Sequence, residues 1–251
     1  MHLTYLLVNV FSAIVPFLFS FYPAIRFNKQ FKAFFVGNCI ASACFIAWDV
    51  LFTAQNVWGF NYAYTFGFKL FNLPVEEVMF FVFIPFACVF TYHCLNTFYK
   101  ITWPLGVERA VVIVLSLLLL VIGIANFNKA YTAASCISTA VLLITLEFVL
   151  KETWLPKFLS IYPLLLIPFF IVNGILTGTG LHQPVVWYND AENLGIRVFT
   201  IPVEDFVYAL DMLLLNLFFY EKCKQLFSAQ AVSVQTSRRQ TVRDRSVSNV
   251  E

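Results

Sequence analysis

The chain reads as an all-α integral membrane protein of about seven transmembrane helices, built from two parallel three-helix repeats joined by a connector helix. Three observations carry that reading. Of 251 residues 60% are hydrophobic and 12% charged, with a mean hydropathy of +0.79, which leaves too little polar surface to cover a soluble globule of this size. The apolar residues fall in runs long enough to cross a bilayer. One short acidic signature occurs twice, Pro74-Val75-Glu76-Glu77 and Pro202-Val203-Glu204-Asp205, and each copy opens an apolar run.

Taken in order, the apolar runs predict spans over roughly 3–22, 32–54, 78–99, 110–126, 130–150, 159–177 and 204–221. The first is too long for a signal-peptide core, has no basic start and ends in Phe21-Tyr22 rather than small residues, so it is expected to be retained. The fourth and fifth are parted by Asn126 to Lys129. From about Ser228 the chain becomes rich in Ser, Thr, Gln and Arg, a composition that cannot bury enough apolar surface to order itself, and residues 223–251 are expected to form a flexible basic tail. On this scheme thirteen Lys and Arg lie on one side and three, Lys69, Lys129 and Arg197, on the other. The positive-inside rule then puts the N-terminus outside and the tail in the cytoplasm.

The repeat extends beyond the acidic signature. At an offset of 128 residues Asn61 falls on Asn189, Ala63 on Ala191, Gly67 on Gly195, Lys69 on Arg197 and Phe71 on Phe199. Such agreement within a loop marks a duplicated unit. Each unit supplies two spans, a loop of about 25 residues and a third span beginning at the acidic signature, giving units 1–100 and 130–222 with a connector span in 101–129. An odd connector keeps the units in the same orientation. Both acidic pairs are thereby expected at one shared cavity toward the outer leaflet.

Proline suits the first turn of a helix, which predicts Glu76 and Glu204 at about the third helical position. One carboxylate there would serve the helix dipole. The second adds like-charge repulsion, so a chemical role is the better account of two copies. Burial and a neighbouring carboxylate both favour the neutral form of a carboxyl group, and a cluster holding at least one proton supplies a general acid beside a general base. Glu76, Glu77, Glu204 and Asp205 are therefore the candidate catalytic groups.

Supporting residues follow by position. Glu204, Tyr208 and Asp211 share one helix face by their spacing. Asp49, near Trp48 and Trp58, is an acid within a span, where such groups mark functional sites. Asn173 lies on an otherwise apolar helix, and Lys69 and Arg197 are matched basic positions that could pair with the acids. No Gly-rich dinucleotide motif, nucleophile elbow, His-rich box or Asp-rich motif is present, and the six cysteines lack metal-ligand spacing and read as packing residues. No cofactor, metal or nucleic-acid partner is expected. A proton-coupled transporter is the rival reading, since repeats and buried acids suit it too.

Trp48-Asp49, Val57-Trp58-Gly59-Phe60-Asn61, Leu73-Pro74-Val75-Glu76-Glu77, Val186-Trp187-Tyr188-Asn189, Arg197 and Ile201-Pro202-Val203-Glu204-Asp205 resemble the membrane-embedded carotenoid cyclases, found as two small subunits or as one fused chain. The resemblance covers residues 1 to about 222. It implies cyclisation of lycopene, an isomerisation that adds one proton, closes a ring through a tertiary cation and removes one proton. It also implies a C40 carotenoid substrate drawn from the bilayer, no redox cofactor, a bacterial inner-membrane location, other enzymes of the carotenoid pathway as candidate partners, and β-carotene formed via γ-carotene as the product. The four acids are carried over as acid/base residues, with Asp49, Trp58, Asn61, Lys69, Asn173, Asn189, Arg197, Tyr208 and Asp211 as binding or supporting residues.

Overall fold

The computed structural model describes residues 3–99, 103 and 105–248. Seven α-helices follow in chain order: α1 Thr4–Phe19, α2 Phe31–Ala54, α3 Val75–Phe98, α4 Leu105–Ala125, α5 Ala130–Ile144, α6 Leu155–Leu176 and α7 Val203–Ser248. α5 continues as a π-helical turn, Thr145–Val149. The five helices α2 to α6 are long and apolar enough to cross a bilayer, as befits an integral membrane protein. α1 has 16 residues, short of the roughly 20 of a full span, and the apolar part of α7 carries Glu204, Asp205 and Asp211. The helical backbone of α7 extends as far as Ser248 into the stretch 223–251 for which the sequence predicts a flexible tail, the last three residues of which lie outside the described ones. Residues 222–248 contain no Gly or Pro to break it.

α1 lies along α3, α2 along α7, and α5 contacts both α4 and α7, while α6 borders α3. Helix association in a bilayer relies on small residues and polar links, because lipid tails compete with apolar side chains. Both devices are present. A Cβ added to Gly37 of α2 would lie 2.8 Å from the backbone of Phe219 and Tyr220 on α7, so only glycine permits this approach. Pro85 in α3 has no N–H to bond the carbonyl of Phe81 four residues back. That buried oxygen instead accepts from Asn38 Nδ2 at 2.9 Å and Ser42 Oγ at 2.7 Å, and Asn38 also donates to Asn216 Oδ1 at 2.8 Å. The proline's orphaned acceptor thus ties α2 to α3, and Asn38 extends the link to α7.

The two long loops meet at one end of the bundle. β1 (Trp58–Phe60) pairs antiparallel with β4 (Val186–Tyr188), Trp58 opposite Tyr188. Next to this pair the N–H of Asn61 donates to the carbonyl of Val185 at 2.8 Å, and the N–H of Asn189 donates to that of Val57 at 2.9 Å. Both donors and acceptors are 128 positions apart, so one bond is made twice with the halves exchanged. Each loop then forms a short hairpin, β2 (Lys69–Leu70) with β3 (Leu73–Pro74) and β5 (Arg197–Val198) with β6 (Ile201–Pro202). The hairpins turn through Phe71 and Phe199, whose φ values of 58° and 57° are left-handed and rare for a bulky residue.

Candidate active site

Each hairpin leads directly into an acidic signature. Pro74 is extended (φ −64°, ψ 146°) and precedes α3, whose first helical residue is Val75. Glu76 is thus at the second helical position rather than the third, and Glu204 of α7 likewise. The proline's fixed φ sets up the helix, and its missing N–H would have no intrahelical partner at this position.

Consecutive residues of a helix point about 100° apart, and this separates the two acids of each signature. Glu76 and Glu204 face the loops and are 0% and 1% exposed. An oxygen of Glu76 accepts the N–H of Phe66, and the matching oxygen of Glu204 accepts the N–H of Leu194 at 2.7 Å and the hydroxyl of Thr132 at 2.6 Å. Asn9 Nδ2 donates to the Glu76 carbonyl at 2.7 Å. The Glu204 carboxyl ties both the loop and α5 to the helix start, whereas at Glu76 the carboxyl holds the loop and the backbone carbonyl holds α1.

Glu77 and Asp205 point the other way, into one cavity of about 250 Å³ between α1, α3, α6 and α7. The hydroxyl of Tyr5 on α1 donates to Glu77 Oε2. Asp205 accepts three hydrogen bonds, from Tyr131 on α5 at 2.6 Å, Asn173 on α6 at 2.6 Å and Tyr188 in β4 at 3.0 Å. Three side chains thus converge on this carboxyl, two of them hydroxyls that can accept as well as donate. Asp49 also lines the cavity and takes the indole N–H of Trp58. Below the three acids the wall is apolar, with Phe80, Ile84, Leu165, Phe169 and Leu213 among its residues. Along α3 the lining runs from Glu77 to Thr91, about 21 Å at 1.5 Å per residue.

Aromatic rings surround the acidic end. Trp58 lies 5.0 Å from Tyr131 and 6.1 Å from Tyr208, and Tyr131 stacks on Tyr188 at 5.8 Å, centroid to centroid. Ring faces attract positive charge, more strongly where water is excluded. The arrangement can hold a proton, accept one, and stabilise a cation between the two events.

The remaining predicted residues separate into four groups. Asn173 and Tyr208 line the cavity. Asp211 is buried against α5, accepting from Ser138 at 2.6 Å, and lies outside the cavity wall, so the common face predicted for it and Tyr208 does not bring both to the site. Asn61 and Asn189 shape the loops, each accepting the N–H two residues ahead at 3.1 Å. Neither basic residue reaches the acidic signatures. Lys69 sits 3.9 Å over the ring of Tyr62, and Arg197 bonds Asp190 at 2.6 Å, which holds that loop carboxyl below its ordinary range. Their side chains extend from exposed hairpin strands, away from the buried acids.

Sequence reasoning missed Tyr5, Tyr131 and Tyr188 as carboxyl partners and Thr132 as a loop anchor. A signal for the first two exists. Tyr5 and Tyr131 are 126 positions apart, near the start of the first helix of each half, and only a two-residue gap in the internal alignment hides the match.

An α-helical integral membrane protein with a carboxyl from each half in one apolar, aromatic-walled chamber is the class that fold and site define. The chain belongs to the lycopene cyclase family, whose model, described as "Lycopene cyclase", matches residues 2–95 and 128–223. The match falls once on each half and leaves out all of α4, the predicted connector. No curated protein and no solved structure matches. The protein is accordingly a cyclase of carotenoid biosynthesis acting on a carotenoid substrate, and nothing in these comparisons supports a transporter.

Proposed function

We propose that the protein converts the acyclic ends of lycopene to ionone rings by acid/base catalysis without a cofactor, giving β-carotene by way of the one-ring γ-carotene. The observation that carries this is the single apolar cavity into which Glu77 of one half and Asp205 of the other both point. Glu77, with one protein donor in Tyr5 among the described residues, is the proton donor. The terminal double bond of the substrate takes that proton, the next double bond closes a six-membered ring onto the resulting tertiary cation, and a second tertiary cation forms within the ring.

Asp205, held by three donors, faces that cation as its counter-charge and removes a proton from the adjacent carbon. One proton enters and one leaves, no electrons are exchanged, and the product is an isomer. The next cycle requires the proton to pass from Asp205 back to Glu77 within the same chamber. Trp58, Tyr131, Tyr188 and Tyr208 supply ring faces to the cation, and Asp49, bonded to Trp58, completes the acidic end.

The cavity draws most of its wall from α1, α3, α6 and α7, with Asp49 and Tyr131 as the contributions of α2 and α5. This asymmetry supports one reaction chamber serving both substrate ends in turn. We place the chamber toward the outer leaflet of a bacterial inner membrane, in a seven-span topology of two parallel units with the N-terminus outside. The thirteen-to-three distribution of Lys and Arg supports this orientation.

Expression in a lycopene-accumulating bacterium tests the reading. Chromatography should find cyclised pigment with the wild-type chain and little with Glu77→Gln or Asp205→Asn. Unchanged lycopene beside abundant, membrane-inserted wild-type protein would refute it.

A further inference from the structure

The chamber has a neighbour. A second cavity, a groove between α1 and α6, is lined by Leu7, Val8 and Phe11 on one side and Ile171, Val172 and Ile175 on the other. Ser12, Pro168 and Val172 line both the groove and the chamber, so the two spaces share a wall of three residues. The outer rim faces away from the protein: Phe11 is 69% and Ile171 64% exposed, on helices whose surroundings are lipid.

Two features make that wall a natural opening. Pro168 lacks the N–H that would bond the carbonyl of Leu164 and cannot pack as a regular helical residue, and Pro16 similarly interrupts α1 beside the chamber. The three shared residues are also small or compact, with no charge and no aromatic ring to plug the gap. From the acids to its far end the chamber runs about 21 Å along α3, whereas an all-trans C40 chain is longer still and carries a second reactive end. Whatever enters must leave part of its length outside the chamber.

We infer that the α1–α6 groove is the lateral portal and binding track for the polyene chain of the substrate, which slides in from the bilayer past Ser12, Pro168 and Val172 while one end reacts beside Glu77 and Asp205. This rests on the cyclase reading. The occupant is a linear, uncharged hydrocarbon, because both rims of the groove are aliphatic or aromatic and the lining holds only two hydroxyl side chains, Thr4 and Ser12. A product with one ring closed would back out through the groove and present its other end.

The test narrows the shared wall. Ser12→Phe and Val172→Phe are compared with Ile167→Trp, a lipid-facing residue on the same helix, 63% exposed and outside both linings. In the lycopene-accumulating strain, at equal amounts of folded protein, both wall variants should form cyclised pigment roughly tenfold or more slowly, the scale on which a few misplaced methylenes alter access to an apolar pocket, while Ile167→Trp stays within about twofold. If either phenylalanine variant fails to fold, Ser12→Leu is read in its place.

Wild-type rates in the wall variants would overturn the portal, as would an equal loss in Ile167→Trp. A binding readout separates this from failure of the cyclase reading. In a Glu77→Gln background, lycopene co-purifying per molecule should fall when the wall is narrowed, and equal loading would overturn the portal whatever the turnover. Absence of cyclised pigment with the wild-type chain itself counts against the cyclase reading instead.

Discussion

Replacing the four signature acids one at a time, each by its amide, divides chemistry from architecture. In Asp205→Asn the charge is lost and one acceptor oxygen becomes an NH₂ group facing donors: Tyr131 at 2.6 Å on one side, or Asn173 at 2.6 Å and Tyr188 at 3.0 Å on the other. Leaving such a buried donor unmatched costs about 1–3 kcal/mol of stability. Removing a general base costs roughly 10²- to 10⁴-fold in rate, or about 2.7–5.4 kcal/mol at 1.36 kcal/mol per tenfold. Glu204→Gln differs. Its amide oxygen still accepts from Leu194 N–H and Thr132, and its NH₂ occupies the place of an oxygen without a hydrogen-bond partner.

Turnover per folded molecule in Glu204→Gln and Glu76→Gln should therefore stay within about tenfold of wild type, with up to about 1–3 kcal/mol of stability lost. Glu204→Ala, which leaves the buried donors of Leu194 and Thr132 unmatched at about 1–3 kcal/mol each, should lower the amount of folded protein sharply. The assay is pigment conversion by chromatography, normalised to monodisperse protein after detergent extraction, with thermal unfolding alongside. Equal loss of turnover in all four amide variants, at unchanged stability, would refute the separation of roles.

Tyr5→Phe removes the one protein donor to Glu77 among the described residues and should slow conversion more than Tyr131→Phe, which leaves Asp205 with two of its three donors; the same pigment assay ranks them. Gly37→Val forces a side chain into backbone 2.8 Å away and should cost about 1–3 kcal/mol or more through overpacking, read as a lower melting temperature with normal activity in the molecules that remain folded. Arg197→Gln breaks a surface pair with Asp190 worth less than about 1 kcal/mol and should leave turnover unchanged. Because Asp190 is held below its ordinary range, the contribution of that pair is complete above the usual carboxylate pKa of about 3.9 and disappears as pH falls through the lowered value, so the variant and wild type should converge in stability only in acid.

Composition, run length and the internal repeat were enough to read the membrane character, the helices and the duplicated acidic signature, because these depend on solvent and on local periodicity. They located four acids without telling them apart. The division between Glu76 and Glu77, and between Glu204 and Asp205, is a matter of which side of a helix faces a neighbour, and the neighbours come from 72 to 74 positions away, as with Tyr5 and Tyr131. The same distance in sequence hid the donors from a motif search, since no local pattern constrains residues that meet only after the helices pack. Tertiary structure alone also decided that Lys69 and Arg197 belong to exposed hairpins and that one chamber lies to the α1 and α6 side of a repeated fold. Burial selects which residue types a helix carries, but the rotation of each helix against its partners selects which of them share a cavity.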